Sequence, residues 1–184
     1  DVVILPGTKN TMHDLRLLGN SGMVAALIAA HDRGAELVGL CGGLQMLGIV
    51  VRDPSGCDGE AGEAAGLGLL ALETVLESEK IVRLANGFMA MLDEEAAGYE
   101  IHCGRSTAPD REIAMRGPDG APLGYGGERV WGTYLHGLFD RDAFRTAWLN
   151  RCRRRRGLPE RPAAHAYDPL RPIDRMADCL RDRL

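Results

Sequence analysis

The sequence predicts an α/β fold built on a mostly parallel sheet, and three observations lead there. Two short aliphatic runs, "VVILPG" (2–7) and "AELVGL" (35–40), read as buried strands. Each is followed by a segment whose apolar residues recur at helical spacing, and strand–helix–strand–helix order is the mark of a sheet with crossover connections. The 184 residues are 45% apolar and 26% charged, enough for one domain with its own core.

The elements follow in order. Pro6 and Gly7 close the first strand. "MHDLRLL" (12–18) and "SGMVAALIAAHDRG" (21–34) are helical, with Gly34 as a stop. After the second strand, "GGLQMLGIVV" (42–51) reads as its helix. "DPSGCDGEAGEAAGLG" (53–68) is rich in Gly, Asp and Glu and reads as a surface loop. Strand candidates then come in series: "LLALETVL", "KIVRLANG", "GYEIHCG", "APLGYG" and "RVWGTYLHG". Helical patterns return at 142–156 and 173–184, joined by the proline-rich "GLPERPAAHAYDPLRP". Residues 1–156 form one domain on this reading, with 157–184 as its linker and C-terminal helix. The arginine run "RCRRRR" (151–156) reads as a solvated last helical turn, with cations at the favourable end of the dipole.

Composition narrows the function. A net charge of −4 gives no electrostatic case for a nucleic-acid partner. No apolar stretch approaches the roughly 20 residues that span a bilayer, so no membrane is expected. Five cysteines at irregular spacing, without a CxxC pair, argue for a reducing, cytoplasmic setting and against a structural metal site. There is no GxxxxGK[ST] phosphate loop, so ATP binding is not expected in these residues. The chain opens on Asp1, directly before an apolar run, and is expected to be part of a longer protein.

One cysteine stands out. Cys41 lies between the second strand and the helix after it, in Gly39-Leu40-Cys41-Gly42-Gly43. A tight strand-to-helix turn exposes its side chain, and the helix N-terminus behind it favours a thiolate. Flanking glycines relieve the sterics of such a turn, as in a nucleophile elbow, and place the Gly42 N–H as half of an oxyanion hole. A thiol in acyl transfer needs a base. His13 and His31 lie on helices among charged residues, and His165 in the proline-rich linker. His136, ending a strand before Gly137, is the best candidate, and His102, inside "YEIHC", the second.

These residues resemble a known family. "LVGLCGGLQMLG" matches the class I glutamine amidotransferase pattern G-x-C-x-G-x-Q through Gly39, Cys41, Gly43 and Gln45. "LPGTKNT" (5–11), "GYEIHCGRS" (98–106) and "GTYLHGLFD" (132–140) are similar to the glutaminase domain of the cobyric acid synthase family. The resemblance covers most of the chain. It implies a flavodoxin-like three-layer sandwich lacking its N-terminal elements, and an ATP-dependent synthetase domain in the same longer chain. It implies glutamine as substrate, Cys41 as nucleophile, and His136 as base. Gly7, Thr8 and Gly42 would hold the oxyanion, Gln45 would contact the glutamine, and Glu100 and His102 would support the site. No cofactor or metal is implied here; ATP, magnesium and a corrinoid would belong to the synthetase. Where most class I amidotransferases carry a glutamate two places after the histidine, this chain has Leu138. That leaves Glu100, Asp140, a backbone carbonyl or the synthetase to orient the imidazole. The rival readings are a free-standing glutaminase subunit, such as one amidating a cell-wall lipid intermediate, a cysteine hydrolase of another small amide, or a non-catalytic binding domain.

Overall fold

The computed structural model describes residues 2–163, 168 and 170–181. His165 lies outside them. The first half runs β1 (Val2–Leu5), α1 (Thr11–Asn20), α2 (Met23–Asp32), β2 (Glu36–Leu40), α3 (Gly42–Leu47), β3 (Val50–Asp53) and β4 (Gly62–Ala65). The second runs β5 (Glu73–Met89), β6 (Glu94–Thr107), β7 (Ile113–Arg116), β8 (Pro122–Gly126), β9 (Val130–Thr133), β10 (Leu135–His136), α4 (Asp142–Arg155) and α5 (Arg171–Arg181).

The described strands share one sheet, in the order β1-β2-β9-β8-β7-β5-β3-β4, with β6 paired to β5 and to β10. The pairs β1–β2, β2–β9 and β3–β5 are parallel. The meander from β5 to β10 and the β3–β4 pair are antiparallel. The helices α1 and α2 carry the chain back between β1 and β2, so that pair is parallel, whereas the short turns of the meander reverse the chain and give antiparallel pairs.

Alternation along β2 sets the layers. Leu37 packs on one face with Met12, Leu15, Leu27 and Leu44 from α1, α2 and α3. Val38 packs on the other with Trp131, Phe144 and Trp148, the last two from α4. Helices thus cover both faces, as the three-layer expectation requires.

Several local readings are corrected. The helix after β2 ends at Leu47, not at Val51. Gly48 turns extended at ψ −173, and the β-branched Ile49-Val50-Val51 enters the sheet instead. The loop at 53–68 contains β4, paired with β3. "LLALETVL" and "KIVRLANG" are one long strand broken by a bulge between Val75 and Lys80. The strand β7 escaped notice, being only four residues long.

The arginine run is not simply solvated. Glu36, almost fully buried at the start of β2, accepts from Trp131 Nε1 (2.7 Å), Trp148 Nε1 (2.9 Å), Arg151 (2.6 Å) and Arg155 (2.8 Å). One carboxylate thereby fastens α4 to the sheet. The chain after α4 folds back on it, with Asn150 bonded to both backbone groups of Arg161 and Arg154 paired with Glu160. By contrast α5 has no buried residue, and Ile173, Met176 and Leu180 are exposed along it.

Candidate active site

The site forms at the C-terminal ends of β1 and β2, where parallel strands feed loops and helices. Cys41 sits between β2 and α3 with φ 53° and ψ −111°, a conformation that L residues rarely adopt. Its N–H is held by the Thr133 carbonyl of β9 (2.9 Å), and its own carbonyl accepts from Gln45 N (3.2 Å). The elbow thus joins the sheet ladder on one side and the helix on the other. Gly43 lets α3 come down on β1, since a Cβ there would collide with the Leu5 carbonyl.

A cavity of about 720 Å³ opens over the elbow. Gly7, Thr8, Cys41, Gly42, Gln45, His102 and His136 all line it. Of the residues to which the resemblance gives a role in the site, Glu100 is absent from this lining, and so is Asp140. Gly7 lies against both Cys41 and His136: a Cβ on it would lie 3.5 Å from Cys41 Cβ and 3.8 Å from His136 Cε1. A Cβ on Gly42 would lie 3.1 Å from the Thr8 nitrogen, so the two candidate oxyanion donors share one small space.

The resting pair is neutral. Burial pushes the Cys41 thiol above its ordinary value, against the pull of the Gly42 N–H and the Lys80 charge, while Cys103 adds to the push. The thiol donates to the Ile101 carbonyl (3.8 Å). Burial also lowers the His136 pKa, with the nearby His102 adding to the effect and the Ile101 carbonyl opposing it. The helix terminus does favour the thiolate, as its position suggests, but desolvation outweighs it. His136 Nε2 is buried and has no hydrogen bond among the described residues, which leaves it free to take a proton.

What holds His136 is neither Glu100 nor an acid two places on. β10 pairs with β6, setting His136 opposite Tyr99, whose ring stacks on the imidazole at 5.3 Å. Gly98 permits that approach, since a Cβ there would strike the His136 carbonyl. Glu100 is engaged with Arg83 and with His102 Nε2 (3.4 Å). Burial would raise its pKa, but the hydrogen bonds from His102 and Arg83 override this and hold the carboxyl below its usual range. His102 bonds to the Gly104 carbonyl through Nδ1 (3.2 Å) and stacks on Tyr134 at 3.7 Å. This ring is built into the wall.

Gln45 is almost fully buried and fully engaged. Its oxygen accepts from Thr11 (2.9 Å), and its nitrogen donates to the Cys103 carbonyl (3.1 Å) and to Tyr134 (3.2 Å). It ties α3 to α1, β6 and the Tyr134 segment between β9 and β10.

Sequence reasoning missed Asp58, Lys80 and Thr11, which also line the cavity. Asp58 reaches it because buried Asp53 accepts from Cys57 N (2.8 Å) and Asp58 N (2.7 Å), folding the loop inward. The Asp58 carboxylate then accepts from Thr11 N (2.6 Å) at the start of α1. Lys80 is delivered by the β5 bulge, which re-aims the strand. A second cavity, about 440 Å³, lies at the opposite end of the sheet among Glu36 and arginines of α4, away from this chemistry.

The chain is similar to known proteins along its whole length. Residues 1–144 match the family described as the CobB/CobQ-like glutamine amidotransferase domain. A curated cobyric acid synthase of Cereibacter sphaeroides is 42% identical over all of this chain, which spans 37% of that protein. Its counterpart in Paracoccus denitrificans is 50% identical over 81% of the chain and 31% of the relative. The chain thus spans about a third of the length of these relatives. Among solved structures, PurLQS from Thermotoga maritima aligns at TM-score 0.57 with 17% identity, over 81% of this chain and 78% of that one. A crystal structure of a glutamine amidotransferase aligns at TM-score 0.56 with 14% identity, over 80% and 76%. These two show the fold.

Proposed function

The chain belongs to the CobB/CobQ-like glutamine amidotransferase domain family, and on that premise we propose that it hydrolyses glutamine at Cys41 and supplies the ammonia to a synthetase. By likeness to the cobyric acid synthases, that synthetase amidates carboxylates of adenosylcobyrinic acid a,c-diamide to give adenosylcobyric acid. ATP and magnesium would bind there, and this chain carries the glutaminase chemistry.

The observation that carries the reading is one cavity lined by an elbow thiol, an imidazole with a free nitrogen and the neighbouring Gly42 and Thr8. His136 takes the thiol proton as sulfur attacks the side-chain carbonyl carbon of glutamine. The N–H groups of Gly42 and Thr8 stabilise the tetrahedral oxyanion, each contributing about 3–4 kcal/mol in comparable sites. As the intermediate collapses, the imidazolium gives its proton to the departing nitrogen and ammonia leaves. His136 then deprotonates water, which cleaves the γ-glutamyl thioester, releases glutamate and returns the thiol. Two neutral partners suit this cycle, since the imidazole starts as a base. Gln45 acts by holding the cavity walls in register, and Glu100 acts by holding His102. Lys9 and Lys80 bring positive charge to the cavity and Asp58 negative charge, so both the carboxylate and the ammonium of a free amino acid find a partner there.

The test is mass-spectrometric labelling with a glutamine-mimicking electrophile. Modification confined to Cys41 and suppressed by glutamine is expected. A Cys41 that ignores the reagent yet reacts with a small thiol probe would refute the glutaminase reading.

A further inference from the structure

We propose that the outer face of the β5–β6 hairpin is the surface on which the ammonia-consuming synthetase part of the longer protein docks. This rests on the glutaminase reading above and says where its partner sits.

Strand alternation puts Lys80, Val82, Leu84 and Phe88 on one face of β5, and the register places Cys103, Ile101 and Tyr99 beside the first three. The inner end of this face reaches the cavity, which Lys80, Ile101 and Cys103 line together with His102 of the opposite face. Its middle is apolar and uncovered: Leu84 is 89% exposed and Val82 67%, with Tyr99 and Phe88 about half exposed. A leucine so fully in water, grouped with other large apolar side chains, is the mark of an interaction surface. The opposite face of the same hairpin is covered, with Ala96, Glu100 and His102 buried.

A second observation concerns the backbone. Away from β6, β5 pairs with β3 only at residues 73–75 and with β7 only at 88–89 among the described residues. The stretch between is an open edge beneath an apolar face, a combination that proteins ordinarily keep covered.

The occupant follows from position and length. Tyr99, in the middle of the face, stacks on His136, so whatever covers the face also roofs the mouth from which ammonia leaves. The body that must receive ammonia there is the synthetase, and a second copy of this chain would have no use for it. In the Cereibacter sphaeroides relative, which this chain matches along its whole length, the chain accounts for 37% of the protein. The larger remainder provides a body big enough to bury the hairpin.

The experiment uses the full-length two-part protein. A photo-cross-linking phenylalanine analogue at position 84 is expected to capture peptides of the synthetase part. Leu84→Asp combined with Phe88→Asp is expected to lower glutamine-supported amidation about tenfold or more. Amidation supported by added ammonium chloride, and labelling of Cys41, should stay at the wild-type level. Cross-links only to a second copy or within this chain, or wild-type amidation from glutamine in the double variant, would overturn the proposal. Should the wild-type protein hydrolyse no glutamine, the glutaminase reading fails, while the cross-links still decide the docking surface.

Discussion

At Cys41 the surroundings pull in two directions, and burial prevails over the helix terminus and Lys80. The free thiol should therefore react with iodoacetamide along a pH profile whose midpoint lies above 9, and a midpoint below 7 would instead mean a resting ion pair. For His136 the sign is opposite: burial and His102 lower its pKa, so at pH 6.5 it is still mostly the neutral base. Glutaminase kcat/KM should hold as pH falls through 6.5 and decline only beneath it. An acid limb at 7 or higher would contradict this. Gly7 offers a steric test. The methyl group of Gly7→Ala fits at ordinary contact distance but takes up cavity space against both the Cys41 Cβ and the His136 ring. The variant should fold normally and lose about 10²-fold in kcat/KM, the scale of a 1 Å misplacement; unchanged kinetics would show that the amide lies elsewhere. Cys41, Gly42 and Gln45 were legible in the sequence because an elbow is local, and His136 because few histidines end a strand. Asp58, Lys80 and the Ile101 carbonyl were not, since a folded loop, a bulge and a distant strand bring them in. Gln45 was found at the right place, but its amide is spent on the protein.

Among the elements, the buried Glu36 makes α4 part of the sheet's stability. Glu36→Ala would leave Arg151 buried beside two unpaired indole N–H groups, at a cost of about 3–5 kcal/mol. At this size that lowers Tm by about 10 °C, and a loss under 1 kcal/mol in denaturant unfolding would show the arrangement to be expendable. Nothing in the local sequence announces this carboxylate, because a glutamate opening a strand looks like a solvated end. Helices α1, α2 and α4 and strands β1 and β2 were legible from period and stop signals. β3 was not, since "GIVV" continues the apolar pattern of α3 and only the turn at Gly48 separates them. The hairpin was seen as separate strands because Glu77, Ser78 and Glu79 interrupt β5 with the bulge that turns Lys80 inward.

At the scale of the whole molecule, Cys41, the proposed nucleophile, comes from the parallel half and His136, its proposed base, from the antiparallel half. Their meeting could not be read from either segment alone. The α/β class and the helices on both faces followed from the order of elements, whereas the curl that brings β6 and β10 over the elbow depends on pairings between residues far apart in the chain. The elbow itself carries a cost borne by the entire fold. A non-glycine residue at φ 53° is disfavoured by about 1–3 kcal/mol, and a glycine there would shed most of that while losing some backbone entropy on folding. Cys41→Gly is thus expected to be inert and to melt about 2–4 °C higher; a lower Tm would mean that the sulfur packs more tightly than its geometry suggests. The most heat-resistant version of this sequence is therefore not its working version. Adaptation to a hotter environment would favour replacing the one side chain on which the proposed chemistry depends, and would have to seek its gains everywhere else.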